Sequence, residues 1–495
     1  MDLRLVVPAA ACWAVTGIGL TASRGVLVAV ILGAIGTSVA VLVAPRLGRV
    51  DPASVLAATG LAAGIGVALL VRADRVDAHP VRQFDGGAVA VVITATEDPK
   101  VSAAHPDLVW VRARLVAVDG QRVAPADVLV FASGAPRVTG EWLGVQVGVP
   151  VRVSARVRVP AGRGLVAAAL TARGPPQIAG RAPVYLRAAE TVRSRFRQVC
   201  AEGLGHREAG LLPGLVVGDT SMGESGVDEQ FRRAGLTHLL AVSGANFALI
   251  VGTAVLLAAL VAGSVRVTVA VGLVVTVAFA VLVQLSPSVI RAAIMGGIGL
   301  LAMVASRRRE AMPALAAAVV VALLVWPTLA VDAGFAMSVA ATAALIVWSP
   351  HLRDRLLERG VPRGAADAVA MAVVAYLATA PLVAMISGRL SLTAVLANLA
   401  VAPVIPVVTL LGALAMVLAV PDVAVSTALA RVVVSACEPG LWWILVVAHR
   451  LGETWAAVPV TPLLVLGVAV GALGVRRLWR RYRRAWPRGM AGWHD

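Results

Sequence analysis

The sequence predicts a polytopic α-helical membrane protein of about twelve spans, with a small extracytoplasmic β-barrel of OB-like type inserted among them. Three observations carry that reading. Hydrophobic residues make up 59% of the 495 and charged residues only 14%, a balance suited to a lipid-embedded chain. Apolar runs long enough to cross a bilayer recur from the first residues onward. Between Arg72 and Pro183 those runs give way to period-two alternation, the mark of half-buried strands.

The first three spans fall at roughly 5–22, 25–44 and 53–71. Further spans follow the first and no convincing cleavage site precedes a soluble domain, so it is read as a span and not a signal peptide. Arg4, Arg46 and Arg49 assign the N-terminus and the second loop to the cytoplasm, and the third span then delivers 72–183 outside. There, Val151, Val153, Ala155, Val157 and Val159 point to one face of a strand, and Arg152, Ser154, Arg156 and Arg158 to the other. Residues 109–115 alternate in the same way, with Trp110, Arg112 and Arg114 on the polar face. Runs at 87–95, 127–132 and 164–171 complete about five strands, enough for a small barrel.

Residues 184–203 set Val184, Leu186, Val192, Phe196 and Val199 among arginines. That pattern suits an amphipathic helix lying on the membrane surface, and a linker helix fits it as well. The apolar 211–218 stretch is too short to span and is interrupted by Pro213 and Gly214. With the polar turn after it and the helix-like 227–236 segment, N-capped by Ser225, it reads as a re-entrant hairpin. Nine more spans fall at about 238–262, 267–285, 288–306, 311–330, 333–350, 366–386, 391–420, 422–448 and 459–475. Arg307, Arg308 and Arg309, the 351–364 loop, and the arginines from Arg476 to Arg484 then all face the cytoplasm. The expected domains are three spans (1–71), the β domain (72–183), an amphipathic and re-entrant segment (184–237), the main transmembrane domain (238–475) and a basic tail (476–495), with both termini cytoplasmic.

Composition also removes functions. Lys100 is the only lysine and follows no glycine-rich turn, so the chain has no phosphate-binding P-loop. Energy for uphill movement must come from a partner or a gradient. Cys12, Cys200 and Cys437 are scattered, as are the seven histidines; no metal site, disulfide framework or cofactor is indicated. The net charge of +17 admits a nucleic-acid partner or anionic lipid, and positive-inside topology accounts for it more plainly.

The polar residues inside apolar surroundings are the candidates for function. The 235–247 stretch, GLTHLLAVSGANF, sets His238, Ser243, Gly244 and Asn246 at the mouth of an apolar helix, with Asp219 upstream. Such groups at membrane depth must be satisfied internally or line a cavity. On a continuous helix His238 and Ser243 lie roughly 140° apart, which disfavours a hydrolytic dyad. Ser243 and Asn246 share a face, and either line a hydrated path or cross-link helices. Arg291, about one turn inside a span, either snorkels outward or supplies a fixed cation on an anion's route. Asp332, Arg389 and Asn398 sit at span ends or breaks, where capping or topology is the default explanation. Pro403 and Pro406 make 391–420 a broken helix. On the β domain, Arg112, Arg114, Arg152, Arg156 and Arg158, with Trp110 and Trp142 nearby, could track a phosphate backbone and stack bases; a solvated sheet face explains them too.

Several separated blocks resemble the ComEC family of competence proteins: 209–252, PSVIRAAIMG (287–296), RRREAMPAL (307–315), WPTLAVDAGFAMSVAAT (326–342) and SGRLSLTAVLANLAVAPVIPV (387–407). They occur in the family's order, and the N-terminal spans and barrel resemble the family more loosely. The resemblance implies an inner-membrane channel admitting single-stranded DNA to the cytoplasm during natural transformation, with the OB-like domain outside. It puts Gly218, Asp219, His238, Ser243, Gly244, Arg291, Asp332, Gly334, Phe335, Ser338 and Asn398 at signature positions. Many members carry a C-terminal metallo-β-lactamase-like domain; here no HxHxDH-like cluster occurs, so a short form is expected. Strand degradation, DNA capture and motive force are then expected from separate nuclease, receptor and cytoplasmic ATPase or helicase partners. Two other functions stay in contention: a carrier for a smaller anion or lipid-linked molecule, and an intramembrane serine hydrolase.

Overall fold

The structure is a computed structural model that describes residues 4–43, 52–102, 105, 107–160, 164–223, 226–240, 242–284, 287–304, 311–387, 389–391, 393–453 and 457–459. Its contacts divide the chain into two compact units. One comprises Met1–Glu224, His238–Val339 and Val404–Trp442, the other Ser225–Thr237, Ala340–Pro403 and Trp443–Asp495. The stretch expected as one domain over 238–475 is thus shared between them.

In the first unit, helices α1 (Val6–Thr21), α2 (Arg24–Val43) and α3 (Pro52–Asp77) pack together. A Cβ on Gly66 would lie 2.6 Å from Ile31 Cγ1, so the glycine lets α3 approach α2 closely. The strands β1 (Ala88–Ala95), β2 (Lys100–Val101), β3 (Leu108–Val118) and β4 (Gln121–Ser133) follow, then helix α4 (Pro136–Leu143) and strands β5 (Pro150–Arg158), β6 (Val166–Ala172) and β7 (Gln177–Ile178). The five long strands close in the order β1-β3-β4-β6-β5 and back to β1, with β4 and β6 parallel and β2 and β7 as short additions. Asp119 and Gly120, both at positive φ, make the β3–β4 turn that an Asp-Gly pair favours. The alternation read in the sequence is the barrel wall: Val151, Val153, Ala155 and Val157 are buried, and Arg152, Arg156 and Arg158 are exposed. Trp142 corrects one expectation. It is fully buried, with Nε1 donating to the Gly174 carbonyl at 3.1 Å. Helix α4 carries it into the barrel core, so it is no stacking platform.

Helix α5 (Val184–Gly203) forms as expected, and one of its faces packs on protein. Phe196, Val199, Cys200 and even Arg193 are buried, and the helix packs on α6 (His206–Val217), α9 (Val265–Leu282), α15 (Ile405–Ala419) and α16 (Ala424–Ser435). Residues 209–217 of α6 are buried throughout, so that apolar run meets protein on all sides. Helices α8 (Gly244–Ala262), α10 (Pro287–Val304) and α11 (Ala311–Val325) pack in sequence with α9. Trp13 of α1 donates to the Ala330 carbonyl at 2.8 Å and packs on Phe335 with ring centroids 5.2 Å apart. The N-terminal helices therefore share a core with α10, α11 and the start of α12 (Ala333–Glu358).

The second unit holds α7 (Val227–Ala234), most of α12, α13 (Arg363–Ser387), α14 (Ala394–Val401), most of α17 (Glu438–Glu453), and a small sheet of β8 (Arg389–Ser391) with β9 (Ala457–Pro459). Gly226 caps α7; Ser225, the expected cap, lies outside the described residues. Among the described residues seven helices are long and apolar enough to cross a membrane, or eight if α14 and α15 count as one broken span. That break falls at the expected proline pair. Val6–Thr21, Ser288–Leu301 and Ala311–Val325 are shorter apolar helices. Residues 46, 49, 307–309 and 460–495, which hold three of the expected charge anchors and the last span, lie outside the described residues.

Candidate functional site

The start of α8 is built by its own sequence. Ser243 is the N-cap, its Oγ accepting from the Asn246 N–H at 3.0 Å, which satisfies one donor that a helix N-terminus leaves open. Asn246 is buried and donates from Nδ2 to the Leu215 carbonyl at 3.2 Å, tying α8 to α6. Ser288 Oγ donates to the Val242 carbonyl at 3.0 Å, which brings the first turn of α10 alongside. Of the two roles open to Asn246, cross-linking is the one its contacts perform.

Arg291 then reaches across. Its Nε donates to Ser338 Oγ on α12 at 2.8 Å and its Nη1 to Met295 Sδ at 3.5 Å. Its Nη2 presses so closely on Gly244 that a Cβ there would collide with it. Among the described residues no carboxylate forms an ion pair with this guanidinium. A cation beside the positive end of a helix dipole has no intrinsic electrostatic partner there, and an anion would supply one. Asp332 accepts from the Phe335 N–H at 2.7 Å and caps α12. His238 sits, exposed, in the single turn Thr237–Leu239.

A second polar cluster surrounds Asp219, just past α6. Its side chain is 2% exposed and accepts from the Ser221 backbone N–H (3.1 Å) and Oγ (2.6 Å), and from Arg197 Nη1. Arg193 Nη2 lies 3.3 Å away. Burial opposes ionisation of Asp219, but Arg193, Ser221 and Arg197 together outweigh it and hold the carboxyl below the usual carboxylate range. Arg197 also pairs with Glu190 at 2.7 Å. From the β domain, Asp98 reaches Arg193 Nη2 at 3.4 Å and accepts from Gln284 Nε2 at 3.1 Å. Sequence reading missed Asp98, Arg193, Arg197 and Gln284. Only the spacing of Glu190, Arg193 and Arg197 along one helical face hinted at the cluster.

The structure thus brings Ser243, Gly244, Asn246, Arg291 and Ser338 together, and gives Asp219 a cluster of its own. Asn398 belongs to the other unit and donates to the Ala394 carbonyl of its own helix at 2.8 Å. On the barrel, Arg112 lies 3.7 Å from Glu97 and Arg114 3.8 Å from Asp127, while Arg156 donates to the Gly86 carbonyl at 3.1 Å. Lys100 stands 5.4 Å from the Trp110 ring centroid. The three cysteines are buried free thiols. Among the described residues no group of three His, Cys, Asp or Glu side chains is placed to hold a metal.

A family model described as Competence protein matches residues 215–482, which includes α8, α10 and Ser338. No curated protein matches the chain, and no solved structure does.

Proposed function

This chain belongs to the competence protein family, and from that premise we propose that it is a passive or partner-driven conduit for single-stranded DNA across the inner membrane during natural transformation. The observation that carries the proposal is Arg291. A half-buried guanidinium, held by a hydroxyl and set over the first turn of a helix without a carboxylate partner among the described residues, suits a passing phosphate. A polyanion needs a hydrated path with few strong contacts, because dense basic lining would trap it. One fixed cation with small and hydroxyl neighbours meets both demands.

The remaining parts fit the same reading. The five-stranded closed barrel with one parallel pair and a helix between its third and fourth long strands suits an OB-fold, a module that binds oligonucleotides. We assign it to the outer face, with twelve spans and both termini cytoplasmic, on the arginine distribution. Arg152 and Arg158, exposed on β5, are the strongest DNA contacts on it; Arg112 and Arg114 already face carboxylates. In this reading the chain acts without chemistry on its cargo; the engagement of Ser243 as a helix cap supports it. A receptor, a cytoplasmic motor and a nuclease are its expected partners. The test is to delete the gene and follow labelled DNA, scoring surface binding and nuclease-protected entry separately. Loss of entry with binding retained is expected. Undiminished entry in the deletion strain overturns the proposal.

A further inference from the structure

Among the described residues Arg193 is a buried cation with an unfilled donor. Its side chain is 5% exposed, yet its Nε has no hydrogen-bond partner among the described residues. Its Nη2 is shared between two carboxylates at long range, 3.3 Å to Asp219 and 3.4 Å to Asp98. Nε and Nη2 form one edge of the planar guanidinium, the edge that grips an oxyanion with two parallel bonds. Here that edge is left half empty.

The two carboxylates are unequal. Asp219 has Ser221 twice and Arg197 in addition to Arg193, so Arg193 is one of several groups that stabilise it. Asp98 is 48% exposed, sits between β1 and β2 in the connection from the first to the second long strand of the barrel, and among the described residues is held by Arg193 and Gln284. Gln284 itself adopts a left-handed backbone at φ +61, immediately past α9, in the chain leading to Arg291 on α10. The weak side of the cluster is therefore the side contributed by the β domain.

We propose that the Nε–Nη2 edge of Arg193 is a phosphodiester-binding edge for which Asp98 is an exchangeable placeholder, so that an arriving DNA strand displaces the β1–β2 connection and releases it from Gln284. The proposal rests on the conduit reading above. A phosphodiester presents two non-bridging oxygens with the spacing that fills both donors, which neither carboxylate does here. The same strand repels Asp98, so binding and release act in one direction. The connection between the first two strands is also a surface that OB-type barrels use toward oligonucleotides.

The test uses the purified full-length protein in detergent with a fluorescent oligothymidylate as probe. Asp98→Asn keeps shape and removes the competing charge, and should tighten binding about 3- to 10-fold. Arg193→Lys keeps charge but not the fork, and should abolish that gain when combined with Asp98→Asn. A thiol installed by Pro99→Cys, next to Asp98, should react with maleimide at least about threefold faster when the oligonucleotide is present, against three native cysteines that are all buried. Unchanged or weakened binding by Asp98→Asn, or unchanged labelling at position 99, overturns the placeholder role even if Arg193→Lys fails to fold. If the wild-type protein binds no oligothymidylate and its deletion spares DNA entry, the conduit reading is what has failed.

Discussion

Replacing Gly244 with Ala separates the position of Arg291 from its charge. An added Cβ collides with Arg291 Nη2, and that nitrogen must retreat by roughly 1 Å to regain ordinary van der Waals separation. Because it is the far end of a flexible side chain, the fold tolerates the change, and Ala is the better helix former. The guanidinium, however, leaves the first turn of α8 and strains its 2.8 Å bond to Ser338. A charge-assisted hydrogen bond to a phosphate contributes about 1.5–3 kcal/mol. If the strand meets Arg291 at its slowest step, Arg291→Gln should lower entry by about 10- to 150-fold, and Gly244→Ala should by itself produce part of that loss. Both act through one guanidinium, so the double variant should fall no further than Arg291→Gln alone. The assay is nuclease-protected labelled DNA per cell, normalised to the amount of protein in the membrane. Wild-type entry in Gly244→Ala beside a deficient Arg291→Gln, or a double variant whose losses multiply, would refute the reasoning.

Asp219→Asn should leave buried Arg193 and half-buried Arg197 short of compensation and cost about 3–5 kcal/mol at neutral pH, read as a lowered melting temperature in detergent. In the wild type the Asp219 carboxyl is depressed on folding. Its contribution is therefore complete above the unfolded value near about 4 and is lost as pH falls through the lower native value; the variant should lack that acid-side loss. Trp142→Ala should destabilise the barrel by about 3–5 kcal/mol through the cavity it leaves, seen by thermal unfolding; an unchanged melt with weakened DNA binding would restore the stacking role. Converting Arg152, Arg156 and Arg158 to Ser together should flatten the dependence of DNA affinity on log salt by about 2, at about 0.7 per lost phosphate contact, and an unchanged slope would remove these arginines from the DNA surface.

The β domain was legible because alternation is a local signal: Val151 to Val157 and Val109 to Leu115 declare their buried face within one strand. The Asp119-Gly120 turn and the proline break near residue 403 are local as well. What escaped was pairing at a distance. Arg291 and Ser338 are 47 residues apart, Asp98 and Arg193 are 95 apart, and nothing in the spacing of either pair announces contact. Trp142 misled because nothing in its own segment marks it as core; its burial depends on α4 covering the barrel interior, which is a tertiary fact. Asn398 reads as a break residue and is satisfied within its own helix turn.

The hydrogen bond from Trp13 to Ala330 has a consequence for biogenesis, since the two residues are 317 apart. At about 5–20 residues per second, translation needs roughly 15–60 s to bring the second after the first. Throughout that interval the first hairpin must persist without this hydrogen bond. The close seating of α3 on α2 at Gly66 gives it a means to wait. A ribosome-stalled intermediate ending before residue 330 should therefore already contain the three leading helices folded together, and the late arrival of α11 completes a core begun at the start of synthesis.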